Sequence, residues 1–135
     1  MLRILLLLSV QNKPINKDRI VALDFMCIYG KSCKVLRSNL HGDNPMGFSE
    51  FTMKRERITE ALKLSVTDDF VKVTEDDDGF RYSINDRGTA VVKATTSDYS
   101  KAYITGAKIV CRRFQGQSED ELLRYINKQA ATKEA

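Results

Sequence analysis

Phe70-Val71-Lys72-Val73-Thr74 and Phe80-Arg81-Tyr82-Ser83-Ile84, separated by Glu75-Asp76-Asp77-Asp78-Gly79, decide how the rest of the sequence is read. In both runs aromatic or branched residues alternate with polar ones, the period-two pattern of a strand with one covered face. The carboxylate run closed by Gly79 reads as the turn between them. Three helical segments precede this hairpin, and three helices followed by a two-stranded hairpin is the order of a winged helix-turn-helix. The expected class is therefore mainly α with a small β-hairpin. A winged helix-turn-helix core is expected at residues 1–95, with a C-terminal helical extension at 96–135 packed on it as one structural domain.

Working outward, the spacing predicts each helix from its signals. Met1-Leu2-Arg3-Ile4-Leu5-Leu6-Leu7-Leu8 holds a short apolar run in a segment stopped by Pro14 and reads as a buried first helix. It is far shorter than the ~20 residues of a membrane span, and no small-residue cleavage site follows it, so neither an anchor nor a signal peptide is expected. Asn16 is placed to cap the second helix, with Asp18 in its first turn, Ile15 stapled on Ile20, and Gly30 as a left-handed stop. Ser49 is expected to cap the third, with Phe48 and Met53 as its staple and Phe51, Ile58, Leu62 and Val66 along its apolar side. After the hairpin, Asn85 caps a helix over 86–95, and Gly88 lets it lie close on the sheet. A helix over 98–115 carries the stripe Tyr103, Ala107, Val110 and Phe114 and stops at Gly116; Gly106 and Ala107 would let another helix approach closely. Ser118-Glu119-Asp120-Glu121 is a capping box opening the last helix, with Leu122, Tyr125 and Ile126 on its apolar side.

A chain of 135 residues with 42% apolar and 30% charged residues has ordinary globular composition and is long enough for one core. The net charge of +4 is unevenly spread. Residues 1–66 hold eleven Lys/Arg against six Asp/Glu, whereas 67–96 hold four against seven. A basic half fits nucleic acid or an acidic protein partner equally. Cys27, Cys33 and Cys111 form no CxxC pair, so neither a disulfide framework nor a zinc site is signalled, and reduced thiols in the cytoplasm are the simple reading.

Catalysis finds no signature. His41 is the lone histidine, and no phosphate-binding glycine loop, HExxH or GxSxG occurs. A Cys33–His41 pair is conceivable on spacing, but a nucleophilic cysteine also needs a positioned base and an oxyanion site. The acidic run 75–78 lacks the alternating spacing of a calcium loop. No catalytic residue, cofactor or metal is expected.

Two surfaces are candidates for contact. The irregular stretch 31–47 is longer than most connections inside a domain, and such loops tend to be functional. Its candidate contact residues are Lys31, Lys34, Arg37, Asn39, His41, Asp43, Asn44, Pro45 and Met46. On the third helix, Lys54, Arg55, Arg57 and Lys63 lie where a recognition helix would face the major groove. Glu50, Glu56 and Glu60 can pair with them locally, giving a plain solvated face instead. Four carboxylates at the hairpin tip would meet the negative charge of a duplex, which favours protein contact over reading of bases.

Ile4 to Ser9, Lys13-Pro14, Asp18 to Phe25, Leu40-His41-Gly42 and Lys54 to Leu62 together resemble the small middle component of bacterial ABC-ATPase three-component conflict systems, the group that includes Lamassu-type antiphage complexes. The likeness runs over about residues 3–126 and carries no catalytic signature. Tyr82 to Gly88 is also similar to the wing exit of many winged-helix proteins. The resemblance implies a non-enzymatic adaptor between an SMC-like or Rad50-like ATPase and a larger effector, often a nuclease. It implies DNA reached through the complex, and neither a membrane nor a small-molecule substrate. The rival expectation is a winged-helix transcriptional regulator whose basic helix reads DNA.

Overall fold

The computed structural model describes residues 1–44 and 47–134. Helix α1 (Leu2–Gln11) buries Ile4 to Leu8 without a break. A helix apolar all round belongs inside a core. It ends where Asn12 turns left-handed, at φ 55°. The chain then reaches across to the hairpin: Ile15 donates its N–H to the Tyr82 carbonyl at 3.0 Å and accepts from the Tyr82 N–H at 2.8 Å.

Helix α2 (Lys17–Ile28) starts as expected, with the Asn16 side chain accepting from the Arg19 N–H at 2.9 Å. Every residue from Arg19 to Ile28 is buried, so α2 is the central element. Gly30 does not take the left-handed conformation expected of it. Its role is steric: a Cβ there would lie 2.4–2.6 Å from Leu36, which folds back on it. Helix α3 (Phe51–Thr67) is entered through a tight turn at Gly47–Glu50, and Glu50 takes the cap position expected for Ser49. The staple does not form either, since Met53 is 54% exposed while Phe48 packs on Phe25. Gly47 lies against the Tyr29 ring, where a Cβ would come within 2.9 Å, and that close approach starts the turn early.

Strands β1 (Val71–Asp76) and β2 (Gly79–Ile84) pair antiparallel, Val71 opposite Ile84 and Asp76 opposite Gly79. The hairpin stands where it is expected, but its turn is tighter, with only Asp77 and Asp78 outside the ladder. Asp76 closes it by accepting from the Asp78 N–H at 2.9 Å. Helix α4 (Asp86–Ala94) is capped by Asn85, whose side chain accepts from the Gly88 N–H.

Helix α5 (Asp98–Arg113) is capped by Ser97 and packs on α1 and α2. Tyr103, Ala107, Val110 and Phe114 are buried as the stripe predicts. Gly106 faces Leu36 of the loop, and among the described residues no backbone of another helix comes within 4 Å of where its Cβ would be. After Gly116, at φ 81°, the Ser118/Glu121 box opens α6 (Glu119–Glu134), which packs on α2. The molecule is thus mainly helical with one two-stranded hairpin, around a core drawn from α1, α2, α3, α5, α6 and β1, against which α4 and β2 pack partly buried side chains. Among the described residues no helix is long and apolar enough to cross a membrane.

Candidate functional site

A polar cluster reaches into the core. Asp24, 2% exposed on α2, accepts from Arg3 Nε and Nη2, both at 3.2 Å, and from the Tyr103 hydroxyl at 2.7 Å. Burial pushes the Tyr103 hydroxyl and the neighbouring Cys27 thiol well above their ordinary values, and the Asp24 charge pushes them in the same direction. A thiol held protonated is a poor nucleophile. The cluster braces α1, α2 and α5 together. Arg19 does similar work at the other end of α2, donating to the Phe114 and Gln117 carbonyls with Glu119 3.6 Å away, and so caps the turn between α5 and α6. Neither arginine stands among the candidates drawn from the sequence. Arg3 carries a signal, as a charge inside an otherwise apolar helical run, whereas Arg19 follows Lys17-Asp18 and has none.

The 31–44 segment is irregular in backbone yet closely tied. Asn39 Oδ1 accepts from the Lys31 and Ser32 N–H groups at 3.0 and 3.1 Å, and its amide donates to Ser32 and Asp43. The Leu40 N–H satisfies the Ile28 carbonyl at the end of α2. From outside, Tyr125 donates to the Cys33 carbonyl at 2.6 Å, and Arg113 reaches the Lys34 carbonyl. Of the candidate contact residues, Asn39 is therefore spent on the loop itself, and Asn44 donates to Glu50. Lys31 lies 3.9 Å from Asp43 on the surface. His41 is exposed, with its Nε2 2.7 Å from the Tyr99 hydroxyl and its ring stacked on that of Tyr99. Cys33 is fully buried, whereas His41 is exposed. Lys34 and Arg37 point outward. Pro45 and Met46 lie outside the described residues.

Beside it, α3 and the hairpin make a second surface. Lys54 turns inward: it is 8% exposed, with its ammonium 5.4 Å from the centre of the Tyr29 ring. Arg55 is held by Asp18 at 2.6 Å. Arg57 and Lys63 are exposed, in company with Met53 and Leu64, each 54% exposed, and with Glu56 and Glu60. On the hairpin Phe80 is 56% and Val73 37% exposed. They line, with Leu62 and Val66, an open groove of about 410 Å³ against α3. At the tip Arg81 binds Asp76 at 2.6 Å and lies 3.9 Å from Asp78. That hydrogen bond holds the Asp76 carboxyl below the usual carboxylate range.

Among the described residues no three His, Cys, Asp or Glu side chains are grouped as ligands of a metal ion would be. What the exposed surface offers is apolar side chains framed by charge of both signs. The family model of the ABC-three component (ABC-3C) system Middle Component 2 matches residues 1–135. The chain belongs to this family. As a Middle Component 2 it is one part of a multi-component ABC system, which implies protein partners. No curated protein and no solved structure is significantly similar to it.

Proposed function

We propose that this Middle Component 2 is a non-enzymatic accessory subunit of an SMC-like ATPase complex in antiphage defence, of the Lamassu type, linking the ATPase to an effector nuclease in the cytoplasm. The observation that carries the reading is the surface made by α3 and the hairpin. Phe80 and Val73 expose apolar area on the hairpin near its acidic tip, and Met53 and Leu64 expose more on another side of α3. An exposed apolar patch rimmed by charge marks a protein contact, whereas carboxylates at the tip are repelled by phosphates. Residues 1–95 are read as a winged helix-turn-helix used for protein contact. The isolated antiparallel bridge from Ile15 to Tyr82 supports this, since it ties the connection between the first two helices to the side of β2 away from β1.

Co-expression with the ATPase of the same system tests the proposal. A stable complex that buries about 800 Å² on this subunit is expected, and Phe80→Glu should weaken it at least tenfold while leaving the fold intact. Failure of the unmodified chain to co-purify with the ATPase would end the reading.

Arg57 and Lys63, exposed on α3, favour a second reading, a regulator that reads DNA. It requires tight duplex binding that weakens steeply with salt and is lost in Arg57→Ala. With Lys54 buried and Arg55 engaged by Asp18, few free cations remain on α3 for that task.

A further inference from the structure

Away from the hairpin, α5 and the 34–40 segment enclose an open groove of about 670 Å³. Leu36 and Leu40 form one wall, and Ala102, Thr105, Gly106 and Ile109 form the other. Those four α5 positions are spaced i, i+3, i+4, i+7, so they make one continuous stripe. Ile109 is 48% exposed, and Gly106 lets Leu36 approach the helix, since a Cβ there would lie 3.1 Å from it. Charge around the groove is one-sided. Lys34 and Arg37 stand on its rim. Lys101, Lys108 and Arg112 are exposed and follow one another at i, i+7, i+11, forming a ridge that flanks the stripe. Segments 31–44 and 98–113 together hold seven Lys/Arg against Asp43 and Asp98 alone.

We infer that this groove receives an acidic amphipathic helix from a protein partner, its apolar face on Leu36 and Ile109 and its carboxylates against the basic rim and ridge. Here the accessory-subunit reading serves only to make the partner another component of the system. An apolar stripe fits the helix-in-groove mode of recognition. No aromatic ring lines the groove to stack on bases, which single-stranded nucleic acid sites use. The wall is preformed, because Tyr125, Arg113 and Asn39 already hold the loop in place, and a preordered site loses less entropy on binding.

The test uses the full chain and a labelled designed helical peptide with Leu at i, i+3, i+4, i+7 and Glu elsewhere, read by fluorescence anisotropy. The amphipathic peptide should bind, and a peptide of the same composition with the stripe scrambled should bind at least tenfold more weakly. Ile109→Glu and Arg37→Glu, shown by melting to be folded, should each lose at least tenfold, and added salt should weaken binding. Equal affinity for both peptides, unaltered affinity in both variants, or binding of an RNA or DNA oligonucleotide that the peptide does not displace would overturn the inference. So would self-association of the chain abolished by Ile109→Glu, which would assign the groove to a second copy. Co-purification separates this from the preceding proposal. If the unmodified chain joins the ATPase complex and Ile109→Glu joins it equally well, with the peptide unbound, the groove inference alone fails.

Discussion

Asp24 is the residue on which most depends, because it is the shared acceptor for Arg3 and Tyr103 within the core. Asp24→Ala would leave the Tyr103 hydroxyl buried without that acceptor and Arg3 without its countercharge. The Arg3 side chain is 30% exposed and can take up water, so the main loss is the acceptor of the buried Tyr103 hydroxyl, about 1–3 kcal/mol, and calorimetry should show a melting temperature lowered by roughly 5–10 degrees, with Asp24→Asn losing less. His41 gives the pH dependence. Partial burial, with Arg3 and Lys54 nearby, lowers its imidazole below the ordinary 6.5. The folded chain therefore binds the ring proton less readily than the unfolded chain, so the contribution to stability is whole above 6.5 and is lost as pH falls from there through the folded value. NMR titration should place the His41 midpoint below 6.5, and His41→Gln should lose less stability than the unmodified chain between about pH 7 and about pH 5. At this scale the sequence is legible where a side chain serves its own backbone, as Asn16, Asn85 and Ser118 do. It is opaque where the partner is remote: nothing near Lys54 in sequence says that the Tyr29 ring will receive its ammonium.

Among the elements, the hairpin and α4 meet at a steric constraint set by backbone. Gly88 lies where a Cβ would come 2.4 Å from the Phe70 carbonyl oxygen and 2.6 Å from Ile84 Cγ1. The first of these is backbone and cannot swing aside. Gly88→Ala must therefore displace α4 from the sheet, a form of overpacking that costs about 1–3 kcal/mol, and urea denaturation should show the midpoint falling accordingly. Gly88 is legible as a close approach because it follows a cap signal directly after a strand. Gly30 is misread because a glycine at a helix end has two uses, a left-handed turn or room for a neighbour, and only the position of Leu36 tells them apart. The start of α3 is likewise set by Tyr29 and Gly47 meeting across the fold, which capping statistics at Ser49 do not contain.

For the molecule as a whole, period and capping signals sufficed to lay out helices and hairpin in order, since each is written within a dozen neighbouring residues. The candidate surfaces are less legible. The long loop is recognisable as unusual from its turn residues, yet its anchoring by Tyr125 and Arg113 comes from α5 and α6, far along the chain. The groove beside it requires Leu36 and Ile109 to meet, and nothing local to either announces that.

The bridge at Ile15 has a consequence for the opposite side of the hairpin. With β2 flanked by β1 and by Ile15, the outer edge of β1 is the open one among the described residues. Lys72 to Asp76 are all exposed along it, and an open strand invites pairing with another chain unless charge opposes it. Glu75 supplies that opposition as a like charge that would face itself in an in-register parallel sheet grown from two copies, with Asp76, paired to Arg81, and Asp77 next to it in the sequence. Replacing Glu75, Asp76 and Asp77 with their amides should therefore shorten the lag before thioflavin-positive fibrils form, an outcome that unchanged lag times would contradict.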